Sequence, residues 1–144
     1  MILLENRYEL FTTLINSISR NIRRIKTKTM KDVNLKSHHV SCLYYLYKEK
    51  SLTATELTEL ADEDKAAISR SLEYLEKNEY IIKSKNKNRY NYKIKLTEKG
   101  NEIGKYIADK IDKILQKSSE GVSSENLAIF YETLKLIDSN LKKI

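Results

Sequence analysis

Seven apolar residues near the start of the chain, Leu4, Tyr8, Phe11, Ile15, Ile18, Ile22 and Ile25, recur at a spacing of 4-3-4-3-4-3. That spacing puts all of them on one stripe of an α-helix. Leu127, Phe130, Leu134, Ile137, Leu141 and Ile144 repeat the pattern near the other end, at 3-4-3-4-3. A helix carrying such a heptad seam must bury it. Helices at both ends of a small chain do so by packing within one molecule or by intertwining with a second copy. The seams predict dimerisation helices in 1–34 and 101–144, with Phe11, Ile15, Ile18, Ile22, Leu127, Phe130, Leu134, Ile137 and Leu141 at the contact; packing within one monomer is the alternative.

The rest of the chain is compatible with little besides helices. Its 144 residues contain no proline and three glycines. A β-sandwich needs many tight turns and a dinucleotide fold needs a Gly-rich loop, so both are disfavoured. Such a length suits one domain, or one that becomes complete on dimerisation. Charged residues make up 33% and hydrophobic residues 40%, the balance of a folded, helical chain. Lys and Arg number 27 against 20 acidic residues, a net charge of +7, which favours a polyanionic partner, nucleic acid ahead of membrane. Lys, Asn, Ile and Tyr all have A/T-rich codons, so part of that excess is compositional. The lone Cys42 can form neither an internal disulfide nor a Cys-based zinc site. Glu5 interrupts the apolar start before a signal-peptide core forms, and no run of apolar residues could span a bilayer, so a cytoplasmic protein is expected.

Between the seams lie short elements with explicit start signals. Ser37 is placed to cap a helix burying Val40, Leu43, Tyr44 and Tyr47. Thr53-Ala54-Thr55-Glu56 is a capping box, predicting a helix that buries Leu57, Leu60 and Ala61. Asp62-Glu63-Asp64 breaks it, and Asp64 caps a further helix that buries Ile68, Leu72 and Leu75. That helix turns Lys65, Ala66, Ser69, Arg70 and Glu73 to solvent. Past Ile82 the period becomes two, with Tyr90, Tyr92, Ile94 and Leu96 alternating with Asn91, Lys93 and Lys95. This predicts a hairpin with its tip near Asn86-Lys87-Asn88, carrying six basic and no acidic residues over 83–95. Thr97 then opens a helix with Ile103, Ile107, Ile111 and Ile114 on one side, ended by Ser118-Ser119-Glu120-Gly121.

A capped helix, a polar turn, a second helix and a basic ribbon within 53–96 follow the plan of a winged helix-turn-helix, whose second helix enters the DNA major groove. The expected fold is mainly α with a small β-hairpin wing, in three segments: 1–34, a DNA-binding domain at 35–100, and 101–144. At these residues the chain resembles the MarR family of bacterial transcriptional regulators. Leu52-Thr53 with Glu56-Leu57 is similar to that family's third helix, and Asp64-Lys65-Ala66-Ala67-Ile68-Ser69-Arg70 with Leu72, Leu75 and Glu76 to its recognition helix. Leu96-Thr97-Glu98-Lys99-Gly100 matches the motif that ends the family's wing, and Ser123-Ser124-Glu125 is consistent with the start of its last helix. The resemblance implies a homodimer with intertwined terminal helices that projects two winged modules towards double-stranded DNA. One departure is local: where the family's wing carries Asp-x-Arg, the chain reads Asn88-Arg89-Tyr90, so the acid is lost and the arginine displaced.

Lys65, Ala66, Ala67, Ser69 and Arg70 on the second helix and Lys83, Lys85, Lys87 and Arg89 on the ribbon are the expected DNA contacts. An arginine can donate two hydrogen bonds to a guanine edge or neutralise a phosphate, and a methyl can pack on thymine. Each has a plainer reading: Arg70 paired with Glu73 or Glu76, the alanines as helix formers, the lysines as a solvated face. His38, His39 and Cys42 lie close together, but a metal needs three or four ligands and a thiol sensor needs a lowered pKa, so a small buried cysteine is the simpler reading. In the family, the second helix lines a cleft that takes small aromatic effectors, which would place Tyr44, Tyr47 and His38 there; core packing is the alternative. No nucleophile and base have an orienting partner, so the chain reads as a ligand-responsive repressor that uses no cofactor and does no chemistry, with a non-specific coat for A/T-rich DNA as the alternative.

Overall fold

The computed structural model describes residues 6–61, 63–84 and 92–144. Their order is α1 (Arg7–Thr29), a 3₁₀ turn (Lys31–Val33), α2 (Ser37–Glu49), α3 (Ala54–Ala61), α4 (Lys65–Lys77), β1 (Ile81–Lys83), β2 (Ile94–Leu96), α5 (Glu98–Ser118) and α6 (Ser124–Leu141). The chain divides into two compact units, 1–110 and 111–144. Among the described residues, no helix is long and apolar enough to cross a membrane.

In the first unit α2 is the central post. His39, Val40, Ser41, Cys42, Leu43 and Leu46 are all buried, so this helix is enclosed on more than the single stripe its sequence suggests. Leu57 of α3, Ile68 and Leu75 of α4, Ile81 of β1, Ile94 of β2 and Ile107 of α5 complete the core, each almost wholly inaccessible. Tyr44 and Tyr47 are only half-buried. Leu60 is exposed, contrary to expectation. Helix α3 is so short that it meets the core along one row, which Leu57 fills. Ser37 is the first residue of α2 rather than its cap; Lys36 occupies the cap position, and its backbone N–H donates to His39 Nδ1 at 3.2 Å.

Local chemistry sets the other boundaries. The Thr53 N–H donates to Glu56 Oε1 and the Glu56 N–H to Thr53 Oγ1, both at 3.2 Å, closing the capping box. Asp64 Oδ1 accepts from the Ala67 N–H at 2.7 Å. With little glycine available, ordinary residues take the left-handed turns: Asn34, Lys50 and Glu79 have φ of 55°, 72° and 62°. Strands β1 and β2 are antiparallel, with Ile81 opposite Leu96 and Lys83 opposite Ile94. Ile94 also bridges back to Leu52 just before α3, so the ribbon is stitched to the helix pair.

The second unit comprises the end of α5, a turn with Gly121 at φ 87°, and α6. Ser123 Oγ caps α6 by accepting from the Asn126 N–H at 3.2 Å. No residue of α6 is buried.

Candidate nucleic-acid interface

Helix α4 presents two chemically distinct faces. Ile68, Ser71, Leu72 and Leu75 are buried and fix its rotation about its own axis. Lys65, Ala66, Ser69, Arg70 and Glu73 are exposed on the other side, with Ala67 half-buried at the margin. Arg70 has no ion pair among the described residues. Glu76, a possible partner for it, instead meets Lys83 Nζ at 3.7 Å. The exposed row therefore offers a free guanidinium, a hydroxyl, an ammonium and two methyl groups on a rigid helix, donors able to engage base edges and phosphates.

The ribbon is held to this helix by the residues of its closing motif. Thr97 donates its N–H to the Tyr80 carbonyl at 3.0 Å and its hydroxyl to the Glu79 carbonyl at 2.6 Å, while Thr97 Oγ1 accepts from the Gly100 N–H at 3.0 Å. Lys99 Nζ donates to the Asn78 carbonyl at 2.8 Å. Gly100 sits so close to the Tyr80 carbonyl that a Cβ there would collide with it. These contacts lock the start of α5 to the α4–β1 turn, so the wing and α4 share one orientation.

The lysines at the base of the wing have partners within the module. Lys83 Nζ lies over the Tyr92 ring at 5.2 Å besides meeting Glu76. Lys93 meets Glu56 at 3.5 Å, and the Thr53 hydroxyl and amide, with help from Lys93, hold the Glu56 carboxylate below its ordinary pKa. Lys85, Lys87 and Arg89, and the tip at Asn86-Lys87-Asn88, lie outside the described residues.

His38, His39 and Cys42 form no ligand set: no group of three metal-ligating side chains occurs among the described residues. Burial, seconded by the negative charge of Glu63, pushes the Cys42 thiol up to about 12, which leaves it protonated and unreactive at neutral pH. His39 stacks on Tyr74 of α4 with ring centroids 4.2 Å apart, and burial, with the charges of His38 and Lys36, pushes it down to about 4. His38 and His39 line a cavity of about 490 Å³ with Arg23, Lys31, Lys36 and Tyr74. Tyr44 and Tyr47 are not part of its wall; Tyr47 faces Gly104 on α5, where a Cβ would come within 3.0 Å of the tyrosine Cβ.

The seam residues face outward. Phe11, Ile15, Ile18 and Ile22 are 38–49% exposed, and Phe130 and Leu141 are 45% and 59% exposed. Leu127, Leu134 and Ile137 are half-buried. A second basic run escaped the sequence reading: Arg20, Arg23, Arg24, Lys26, Lys28 and Lys31, with no acidic residue among them. Its spacing could have revealed it, because five of the six recur at helical intervals opposite the seam.

A sequence model of the MarR family matches residues 35–89. No match is found among curated protein sequences. The fold is shared with a MarR family transcriptional regulator from Listeria monocytogenes complexed with a 26-mer DNA, at 24% identity and TM-score 0.84, covering 90% of this chain and 87% of that one. It is shared with the MepR–DNA complex of S. aureus at 19% identity and TM-score 0.78, covering 91% and 96%. A MarR family regulator from Silicibacter pomeroyi matches at 18% identity and TM-score 0.84, covering 97% and 96%. The chain thus matches the MarR family model over its helix-turn-helix, and its described residues share the fold of these MarR family structures.

Proposed function

We propose that the chain is a DNA-binding transcriptional regulator that acts as a homodimer on a pseudo-palindromic operator, as a repressor whose occupancy responds to a small ligand. The observation that carries the reading is the exposed row Lys65, Ala66, Ser69 and Arg70 on a helix whose opposite face is fixed in the core. Arg70 reads a base edge; Lys65 and the wing cations hold the backbone. Structural relatives of the same fold were crystallised on DNA, which supports the assignment. The outward seams on α1 and α6 support a dimer, since contiguous apolar faces of this kind on a single chain call for a partner. The cationic cavity beside His38 suits an anionic aromatic effector better than the Tyr44 and Tyr47 surface does.

Selection of bound fragments from random genomic DNA, followed by footprinting, tests the reading. A discrete footprint over two half-sites about 10 base pairs apart is expected, and Arg70→Ala should cost about 1–3 kcal/mol at one position of each half-site. Diffuse protection of any A/T-rich fragment would leave the non-specific coat instead.

A further inference from the structure

We infer that α1 and the turn after it carry a second DNA-backbone contact, in which Arg20, Arg23, Arg24, Lys28 and Lys31 form a ridge that grips phosphates beside the site read by α4. The inference rests on the DNA-binding reading above and extends its footprint to an element that lies outside the winged module.

The ridge follows from helical geometry. Residues 20, 23, 24, 27 and 28 fall at three- and four-residue intervals and so share one face of α1, whereas Ile15, Ile18, Ile22 and Ile25 share the opposite one; Lys31, in the 3₁₀ turn that follows, lines the same surface pocket as Arg20, Arg23, Arg24 and Lys28. All five ridge cations are exposed, and none has an ion pair among the described residues. Arginines and lysines near a helix C-terminus are ordinarily explained by the helix dipole, but that effect fades within the last turn. Helix α1 ends at Thr29, so Lys28 has that explanation and Arg20, Arg23 and Arg24 do not. Three pairs, 20 with 23, 20 with 24 and 24 with 28, set like charges against each other, which costs a free helix stability and is relieved by a polyanion.

The position of the ridge favours DNA over other polyanions. Arg23 and Lys31 line the same cavity as Lys36 at the cap of α2, His38 of α2 and Tyr74 of α4, so the ridge continues into the module that carries the recognition helix. Within α1, from residue 20 to residue 28, the ridge rises about 12 Å, the rise of roughly three to four phosphates along one strand. Three of its five cations are arginines, whose planar fork suits phosphate.

The test uses the full chain and a random-sequence duplex of about 40 base pairs, titrated from about 0.05 to 0.2 M salt. Arg20→Gln, Arg24→Gln and Lys28→Gln combined should lower the slope of log K against log salt by up to about 2.7 per protomer, at about 0.9 per phosphate released. Preference for a selected fragment over random duplex should stay within about threefold, because phosphate contacts position without reading bases. Arg20→Lys with Arg24→Lys, which keeps the charge, should retain the slope, and an unchanged helical circular dichroism spectrum guards against misfolding. A wild type that binds with a slope the triple variant leaves intact overturns the ridge and spares the function. A wild type that binds no duplex overturns both. Tighter, ridge-dependent binding to single-stranded poly(U) than to duplex would overturn the assignment to DNA.

Discussion

Gly100→Ala separates the contact that anchors the wing from ordinary helix propensity, because the two push stability in opposite directions. Gly100 lies in the first turn of α5, where an alanine normally stabilises a helix by up to about 1 kcal/mol. Here the added Cβ would run into the Tyr80 carbonyl and press on Leu96 Cδ2 at 3.1 Å. The carbonyl is backbone and cannot rotate away, so α5 must retreat from the α4–β1 turn. Retreat loosens the bonds from Thr97 N–H to the Tyr80 carbonyl at 3.0 Å and from the Thr97 hydroxyl to the Glu79 carbonyl at 2.6 Å. Overpacking costs about 1–3 kcal/mol and each hydrogen bond about 0.5–1.5 kcal/mol, so after the helix gain the net loss is about 1–5 kcal/mol. For a chain of this size, at about 3–4 °C per kcal/mol, that lowers Tm by about 3–20 °C. Thermal unfolding of wild type and variant at equal protein concentration measures it, because a dimer's Tm depends on concentration. An unchanged or raised Tm would refute the packing argument and leave Gly100 without a steric role.

Three further outcomes follow from single groups. Ile18→Asp with Ile22→Asp places charge in the exposed α1 seam and should yield monomers or unfolded chain by sedimentation, whereas a folded dimer of unchanged mass would show that the seam lies elsewhere. His39 titrates near 6.5 when unfolded and near 4 when folded, so the unfolded chain takes up the proton first and stability should fall as pH drops from about 6.5 to about 4. His39→Gln, whose amide oxygen can still accept from the Lys36 N–H, should flatten that part of the profile of urea midpoint against pH. Ser71 Oγ is buried without a hydrogen-bond partner among the described residues, so Ser71→Ala should raise the urea midpoint by an amount worth about 1 kcal/mol; a lowered midpoint would mean that the hydroxyl is satisfied.

What could be read from the sequence was whatever depends on neighbours a few residues apart. The capping box at Thr53 and Glu56, the Asp64 cap and the two-sided α4 are encoded at spacings of three and four, and the structure contains all of them. Non-local pairings left no such trace. Nothing near Leu52 signals its bridge to Ile94, and nothing near Glu76 signals that it meets Lys83 rather than Arg70. The positive φ angles fall on Lys50 and Glu79 themselves, neither a glycine nor an asparagine, so residue type did not mark those positions. Leu60 failed as a core residue because periodicity gives the phase of a helix but not the number of rows its neighbours cover. The α1 ridge is legible in the three- and four-residue spacing of Arg20, Arg23, Arg24 and Lys28.

If α4 reads sequence rather than merely attracting DNA, a competition titration will show it. Wild-type protein on a selected fragment is challenged with random A/T-rich duplex at about 0.15 M salt, where electrostatic attraction alone discriminates poorly. Wild type should prefer the selected site by about 10³ or more, and Arg70→Ala by much less. A wild-type preference below about tenfold, or a full preference retained by Arg70→Ala, would contradict sequence reading by α4.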